Sequence, residues 1–112
     1  PTLDFLEDMK NRGASFEITD NLSKFKEYDI FYANRLQGER FKSKKEFEKY
    51  RKALVITKVL AQGSKTLILD PLPRIDEIEQ AVDDLPNAAY FDQAQNGLYV
   101  RMALLLYAME TL

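Results

Sequence analysis

Apolar and polar positions along this chain follow two rhythms, one close to the helical period and one close to the strand period of two. Leu3, Phe5, Leu6 and Met9 fall near one face of a helix over residues 3–10, and Gly13 is placed to stop it in a left-handed conformation. Phe16-Glu17-Ile18-Thr19 alternates strictly and predicts a strand. Asp20 or Asn21 can then cap a short helix carrying Leu22, Phe25 and Tyr28. Residues 29–33 form a nearly continuous apolar run after Asp29, the pattern of a central parallel strand buried on both faces.

The second half repeats the alternation. Ser43-Lys44-Lys45-Glu46 has capping-box spacing, so a helix is expected from about Lys44 to Arg51 with Phe47 and Tyr50 inward. Ala53 to Ile56 reads as a strand, Thr57 to Ala61 as a helical turn, and Gly63-Ser64 as the turn before a strand over Thr66 to Leu69. That strand must end at Asp70-Pro71-Leu72-Pro73-Arg74, because each proline fixes its own φ, lacks an N–H and pushes the preceding residue toward extended geometry. The loop leaves the carbonyls of Pro71 and Leu72 without regular partners, at the end of a strand where open α/β sheets bind ligands. A helix is predicted over Asn87 to Gln95, broken or bent at Asn96-Gly97. The order predicts an α/β fold: a small parallel sheet of about four strands with flanking helices and right-handed crossovers.

The last helix, Leu98 to about Glu110, places Leu98, Val100, Met102, Leu104, Leu105, Leu106, Met109 and, past its end, Leu112 around the whole circumference, with Arg101 and Glu110 as its charges. A helix apolar all round is expected to be buried all round. At roughly 1.5–3 kcal/mol per side chain, that burial is worth as much as a domain's net stability. One small sheet cannot cover it, so Leu98–Leu112 is expected to associate with a second copy or a complementary chain. Two regions follow, residues 1–86 as an α/β unit and residues 87–112 as C-terminal helices packing on a partner or missing domain.

Composition narrows the chemistry. At 112 residues the chain is one domain or part of one. Sixteen basic against eighteen acidic residues give a net charge of -2, so no nucleic-acid partner is expected. The lysines at 42, 44, 45, 49 and 52 are interrupted by Glu46 and Glu48 and read as a solvated helix face. Without Cys or His, thiolate nucleophiles, Cys/His zinc sites and a histidine base are excluded. No metal and no cofactor is expected, since Asp76, Glu77, Glu79, Asp83 and Asp84 lack calcium-loop spacing. No apolar stretch reaches the ~20 residues of a membrane span and no leader pattern is visible, so a cytoplasmic location is expected.

Two blocks carry a resemblance. Asp29-Ile30-Phe31-Tyr32-Ala33-Asn34-Arg35-Leu36-Gln37-Gly38-Glu39-Arg40 and, downstream, Pro71-Leu72-Pro73-Arg74 with Tyr90 to Gly97 and Arg101 to Leu105 resemble the C-terminal, aspartate-binding part of the aspartate carbamoyltransferase catalytic chain. The resemblance implies one incomplete half of a doubly wound fold, about the last third of a family catalytic chain. It implies that Arg35 and Gln37 bind the aspartate substrate, a fork-shaped guanidinium beside an amide suiting a dicarboxylate. It implies that the Pro71 and Leu72 carbonyls hold the amino group of carbamoyl phosphate. The reaction implied joins the aspartate amine to the carbamoyl carbon, giving N-carbamoyl-L-aspartate and phosphate in pyrimidine biosynthesis. The family's phosphate-binding loop, catalytic histidine and reaching lysine are not in this sequence, so the chain alone is expected to be inactive and no residue is assigned as catalytic. Asp70, Asn34 and Gly38 stand where the family has histidine, threonine and lysine.

Read without the resemblance, Arg35 is an ordinary surface or ion-pairing arginine. Arg74 is expected to pair with Asp76, Glu77 or a carboxylate outside the chain, Tyr90 and Asn96 to satisfy core and turn bonds, and Arg101 to cap or bridge. Two functions stay open: the aspartate-side portion of a carbamoyltransferase, or a truncated non-catalytic relative acting as a structural or interaction module.

Overall fold

The first helix, α1 (Leu3–Asn11), stops where the sequence places its glycine: Gly13 has a φ of 77°, and Ala14 donates back to the Met9 carbonyl at 3.0 Å. It belongs to a computed structural model that describes residues 3–110. Asn21 then caps as expected, its side chain accepting the Ser23 N–H at 2.8 Å, and opens a tight 3-10 helix, Leu22–Glu27. Strand β1 is Ile30–Tyr32. Ser43 accepts the Glu46 N–H at 3.2 Å and opens α2, Lys44–Ala53, while Thr57 accepts the Leu60 N–H at 3.2 Å and opens α3, Lys58–Ala61. Strand β2 is Leu67–Leu69, and the last helix, α4, runs from Tyr90 to Glu110.

β1 and β2 pair in parallel, with Ile30 opposite Leu67, Phe31 opposite Ile68 and Tyr32 opposite Leu69. Ile68 is fully buried at the centre of a core that includes Phe25, Ile56, Ile78, Val82 and Tyr90. The Thr66 hydroxyl, also buried, lies 2.7 Å from the Tyr28 carbonyl and ties the Leu22–Glu27 turn to the base of β2. Asn87 is buried too, donating to the carbonyls of Ala61 at 3.3 Å and Thr66 at 3.0 Å.

The expectation of about four strands is corrected: among the described residues the sheet has two, extended by single parallel bridges between Ile56 and Ile78 and between Ile68 and Ala88. Phe16 to Thr19 forms no strand, and its apolar residues stay in water, Ile18 at 65% exposure. Alternation alone makes no ladder without a neighbouring edge. Residues 53–56 form no strand because α2 takes Ala53 and the Thr57 cap starts α3 directly after Ile56.

The C-terminal region also differs. Asn87 lies in a turn and Ala88 bridges to Ile68, with the Ile68 N–H donating to the Asn87 carbonyl and the Ala89 N–H to the Ile68 carbonyl. Helix α4 therefore starts at Tyr90 and continues through Asn96-Gly97 without a break. Glycine inside an exposed helix costs about 1 kcal/mol against alanine and does not forbid the helix. Tyr90 is the buried residue of α4; from Leu98 onward its apolar side chains are 49–74% exposed in this chain. Leu112 lies outside the described residues. No described helix is long and apolar enough to cross a membrane.

Candidate functional site

The parallel pairing sets the site. With Tyr32 opposite Leu69 and the Ala33 N–H donating to the Leu69 carbonyl at 2.7 Å, the chain leaves both strands at the same edge of the sheet. The segment after β1 carries Asn34 and Arg35, and the segment after β2 carries Asp70 to Pro73. They meet in a cleft of about 160 Å³ lined by Asn34, Arg35, Asp70, Pro71, Leu72, Pro73 and Glu77. A second, larger hollow of about 330 Å³ shares Asn34, Arg35 and Glu77 and is otherwise walled mainly by apolar side chains such as Phe31, Phe47 and Leu54. This is the carboxyl end of a parallel sheet, where α/β proteins bind ligands.

Arg35 is exposed, and no carboxylate among the described residues pairs with it. The Pro71 and Leu72 carbonyls accept no hydrogen bond from described residues. Three of the four expected site residues, Arg35, Pro71 and Leu72, are thus brought together. Gln37 lines neither hollow; it is half-buried at the start of the Gly38–Arg40 turn, where its carbonyl accepts the Arg40 N–H at 3.0 Å.

Asp70 is 1% exposed. Its Oδ1 accepts the Leu72 N–H at 2.7 Å, its own N–H donates to Gln93 Oε1 at 2.9 Å, and its Oδ2 is buried with no partner among the described residues. Burial pushes its carboxyl above the ordinary carboxylate range, with Glu77 adding to the rise; the Leu72 N–H and Arg74 act the other way. Leu72 adopts a φ of 47°, a left-handed conformation uncommon for a side chain other than glycine.

Arg74 departs from the expected pairing. It binds Asp83, not Asp76 or Glu77, and also donates to the Tyr90 hydroxyl at 3.1 Å. Hydrogen bonding to Asp83 raises its affinity for the proton and holds the Asp83 carboxyl below its ordinary value. The Tyr90 hydroxyl, desolvated and donating to Asp83, is pushed up to about 12. Beside Asp83, three more carboxylates of the acidic stretch are used locally: Asp76 pairs with Arg51, Glu77 accepts the Ile75 and Asp76 N–H groups at 2.9 Å, and Glu79 accepts the Lys58 N–H at 2.8 Å. No cluster of three acidic residues that could hold a metal occurs among the described residues. Asn96 and Arg101 lie exposed on α4, so Asn96 serves no turn.

Residues 2–108 match the family model described as aspartate/ornithine carbamoyltransferase, Asp/Orn binding domain. The chain belongs to this carbamoyltransferase family. Among relatives, the aspartate carbamoyltransferase catalytic subunit of Methanocaldococcus jannaschii is 40% identical over 108 residues, covering 96% of this chain and 35% of the relative. A solved structure of that M. jannaschii catalytic subunit superposes with a TM-score of 0.90 at 39% identity, over 97% of this chain and 37% of the other. Aspartate transcarbamoylase from Trypanosoma cruzi, solved in complex with carbamoyl phosphate and aspartate, gives a TM-score of 0.76 at 30% identity, over 93% of this chain and 34% of the other. The chain spans about a third of the length of these carbamoyltransferases.

Two residues escape the sequence reading of this carbamoyltransferase domain as parts of the site: Glu77, which lines the cleft, and Gln93, which holds Asp70. Asp-Pro is a turn signal that pointed to the loop, since an aspartate often accepts the N–H two residues on. Nothing local pointed to Gln93, whose role comes from tertiary packing of α4 against β2.

Proposed function

We propose that this chain is the aspartate-side portion of an aspartate carbamoyltransferase, acting on carbamoyl phosphate and L-aspartate. The observation that carries the reading is Arg35: a guanidinium without a carboxylate partner among the described residues, at the carboxyl end of β1 and beside the Pro71-Leu72 loop. An unpaired guanidinium in a cleft with free backbone acceptors can take a carboxylate through paired charge-assisted bonds while the carbonyls take an amino group. Arg35 and Gln37 would hold aspartate, and the Pro71 and Leu72 carbonyls the carbamoyl NH2.

The aspartate amine attacks the carbamoyl carbon, a C–N bond forms, the C–O bond to phosphate breaks, and the amine proton is lost. Reaction requires the amine within about 3–3.5 Å of that carbon. It also requires donors for the carbonyl oxygen and leaving phosphate, and the cleft offers one cation, Arg35. A carbamoyl-phosphate-binding portion must supply the rest, and the exposed face of α4 fits a surface made to be covered by it. The chain alone is therefore inactive.

The assay is N-carbamoyl-L-aspartate formation by the purified chain, with and without a partner captured from its source. Product only with the partner supports the reading; product from the chain alone contradicts the need for a second portion. The alternative, a non-catalytic module docking through α4, is favoured by the buried carboxyl of Asp70 beside the cleft. Recovery of a partner that yields no product selects it.

A further inference from the structure

We propose that Asp70 is a positioning residue for this cleft: its carboxyl clamps the backbone of Pro71 and Leu72, the residues that line the cleft with Arg35. The inference rests on the reading of those two residues as the carbamoyl-holding side of the site. Within Pro71-Leu72-Pro73 the Leu72 N–H is the only backbone donor, since proline has none. Asp70 Oδ1 takes that donor at 2.7 Å. Leu72 sits at a φ of 47°, which a leucine holds only when its surroundings impose it. The clamp is fixed at its other end, because the Asp70 N–H donates to Gln93 Oε1 on α4, and Gln93 Nε2 reaches the Tyr32 hydroxyl on β1 at 3.5 Å.

The carboxyl is used through one oxygen only. Oδ2 is buried without a partner among the described residues, and Arg74 is bound to Asp83 and Tyr90 instead. Asp70 therefore works as a hydrogen-bond acceptor of a certain length and shape, not as half of an ion pair. An amide of the same shape keeps that acceptor, and a methyl group does not.

The test compares Asp70→Asn with Asp70→Ala by two readouts. The first is amide hydrogen exchange at Leu72 in the chain itself. The second is the KM for carbamoyl phosphate against kcat in the enzyme assembled with its complementary portion. Asp70→Ala is expected to speed Leu72 exchange and raise this KM, each by about tenfold, the effect of one lost buried hydrogen bond, with a smaller change in kcat. Asp70→Asn is expected to stay within about threefold of the parent in both. Equal loss in both variants, or no change in Asp70→Ala, overturns the proposal. If Asp70→Ala does not fold, a Leu72 amide that exchanges more than tenfold faster in Asp70→Asn overturns it alone. An assembled parent enzyme that makes no carbamoyl-aspartate sinks the functional reading, while the Leu72 exchange still decides the role of Asp70.

Discussion

Arg74 grips Asp83 through both terminal guanidinium nitrogens, with Nη2 2.6 Å from Oδ2. The Tyr90 hydroxyl donates to the same carboxylate, so one polar cluster ties the end of the Pro71-Leu72-Pro73 loop to the first turn of α4. Both partners of the pair are largely sheltered, their side chains 18% and 23% exposed.

Breaking this pair costs more than breaking a surface one. Asp83→Ala leaves a half-buried guanidinium and a phenol without their acceptor, and is expected to lower stability by about 2–3 kcal/mol. Asp8→Ala, which removes an exposed partner of Arg12, is expected to change it by less than about 0.5 kcal/mol. Urea unfolding of the two variants measures the difference; similar midpoints would contradict the assignment.

The same cluster gives an alkaline limit. Tyr90 is pushed from 10 to about 12 in the folded chain. The folded state therefore binds its proton more tightly than the unfolded state does. Its contribution is fully present below about pH 10 and is lost as pH rises toward 12. A Tyr90→Phe variant has no such proton, so its thermal midpoint is expected to fall less steeply between pH 10 and 12.

Asp70 has the opposite relation to neutral pH. Its folded pKa is raised by burial, with Glu77 adding to the rise and Arg74 and the Leu72 N–H opposing it. The stability contributed by its proton is fully present below the ordinary carboxylate range and is lost as pH rises through the raised value. Asp70→Asn cannot charge, so its thermal midpoint is expected to exceed the parent's at pH 7 and to approach it at acidic pH. A variant that is less stable at pH 7 by the same margin as at pH 4 would show that the carboxylate is not a burden.

Arg35 is the cleft residue whose loss should be read in one substrate. Arg35→Ala in the assembled enzyme is expected to raise the KM for aspartate by at least about tenfold while moving that for carbamoyl phosphate less, and lysine is expected to restore only part of it. Equal effects on both substrates would place Arg35 elsewhere in the reaction.

Leu105 is 66% exposed on α4. If that face is covered in the working protein, Leu105→Glu is expected to shift the sedimentation profile toward smaller species and abolish capture of the complementary portion. A parent chain that sediments as a compact monomer at micromolar concentration would remove the need for either.

What was legible in the sequence was local chemistry. The caps at Asn21 and Ser43, the stop at Gly13 and the turn at Asp70-Pro71 each depend on residues acting within a short stretch, and each appears in the fold. The parallel strands around Phe31 and Ile68 were legible as apolar runs, but the burial on both faces expected of residues 29–33 is not found: Ile30 and Tyr32 are exposed and Phe31 is half-buried. Phe16 to Thr19 misled because alternation reports two faces and not a neighbour. Asn96-Gly97 misled because a glycine weakens a helix by less than the surrounding residues stabilise it. In the cleft, the prolines could be found by pattern and Arg35 only through the family resemblance, whereas Glu77 and Gln93 come from segments that only tertiary folding brings near.

Helix α4 is 21 residues, or about 31 Å, anchored by a single buried tyrosine near one end. If a complementary portion covers its overhang, a long run of hydrocarbon is shielded in a single step, and the joining is expected to be strongly calorimetric in character: a negative heat-capacity change that makes the enthalpy of assembly more exothermic with every degree of warming. Cold would then loosen the union that moderate heat tightens, and storage on ice would be the condition under which the two portions drift apart.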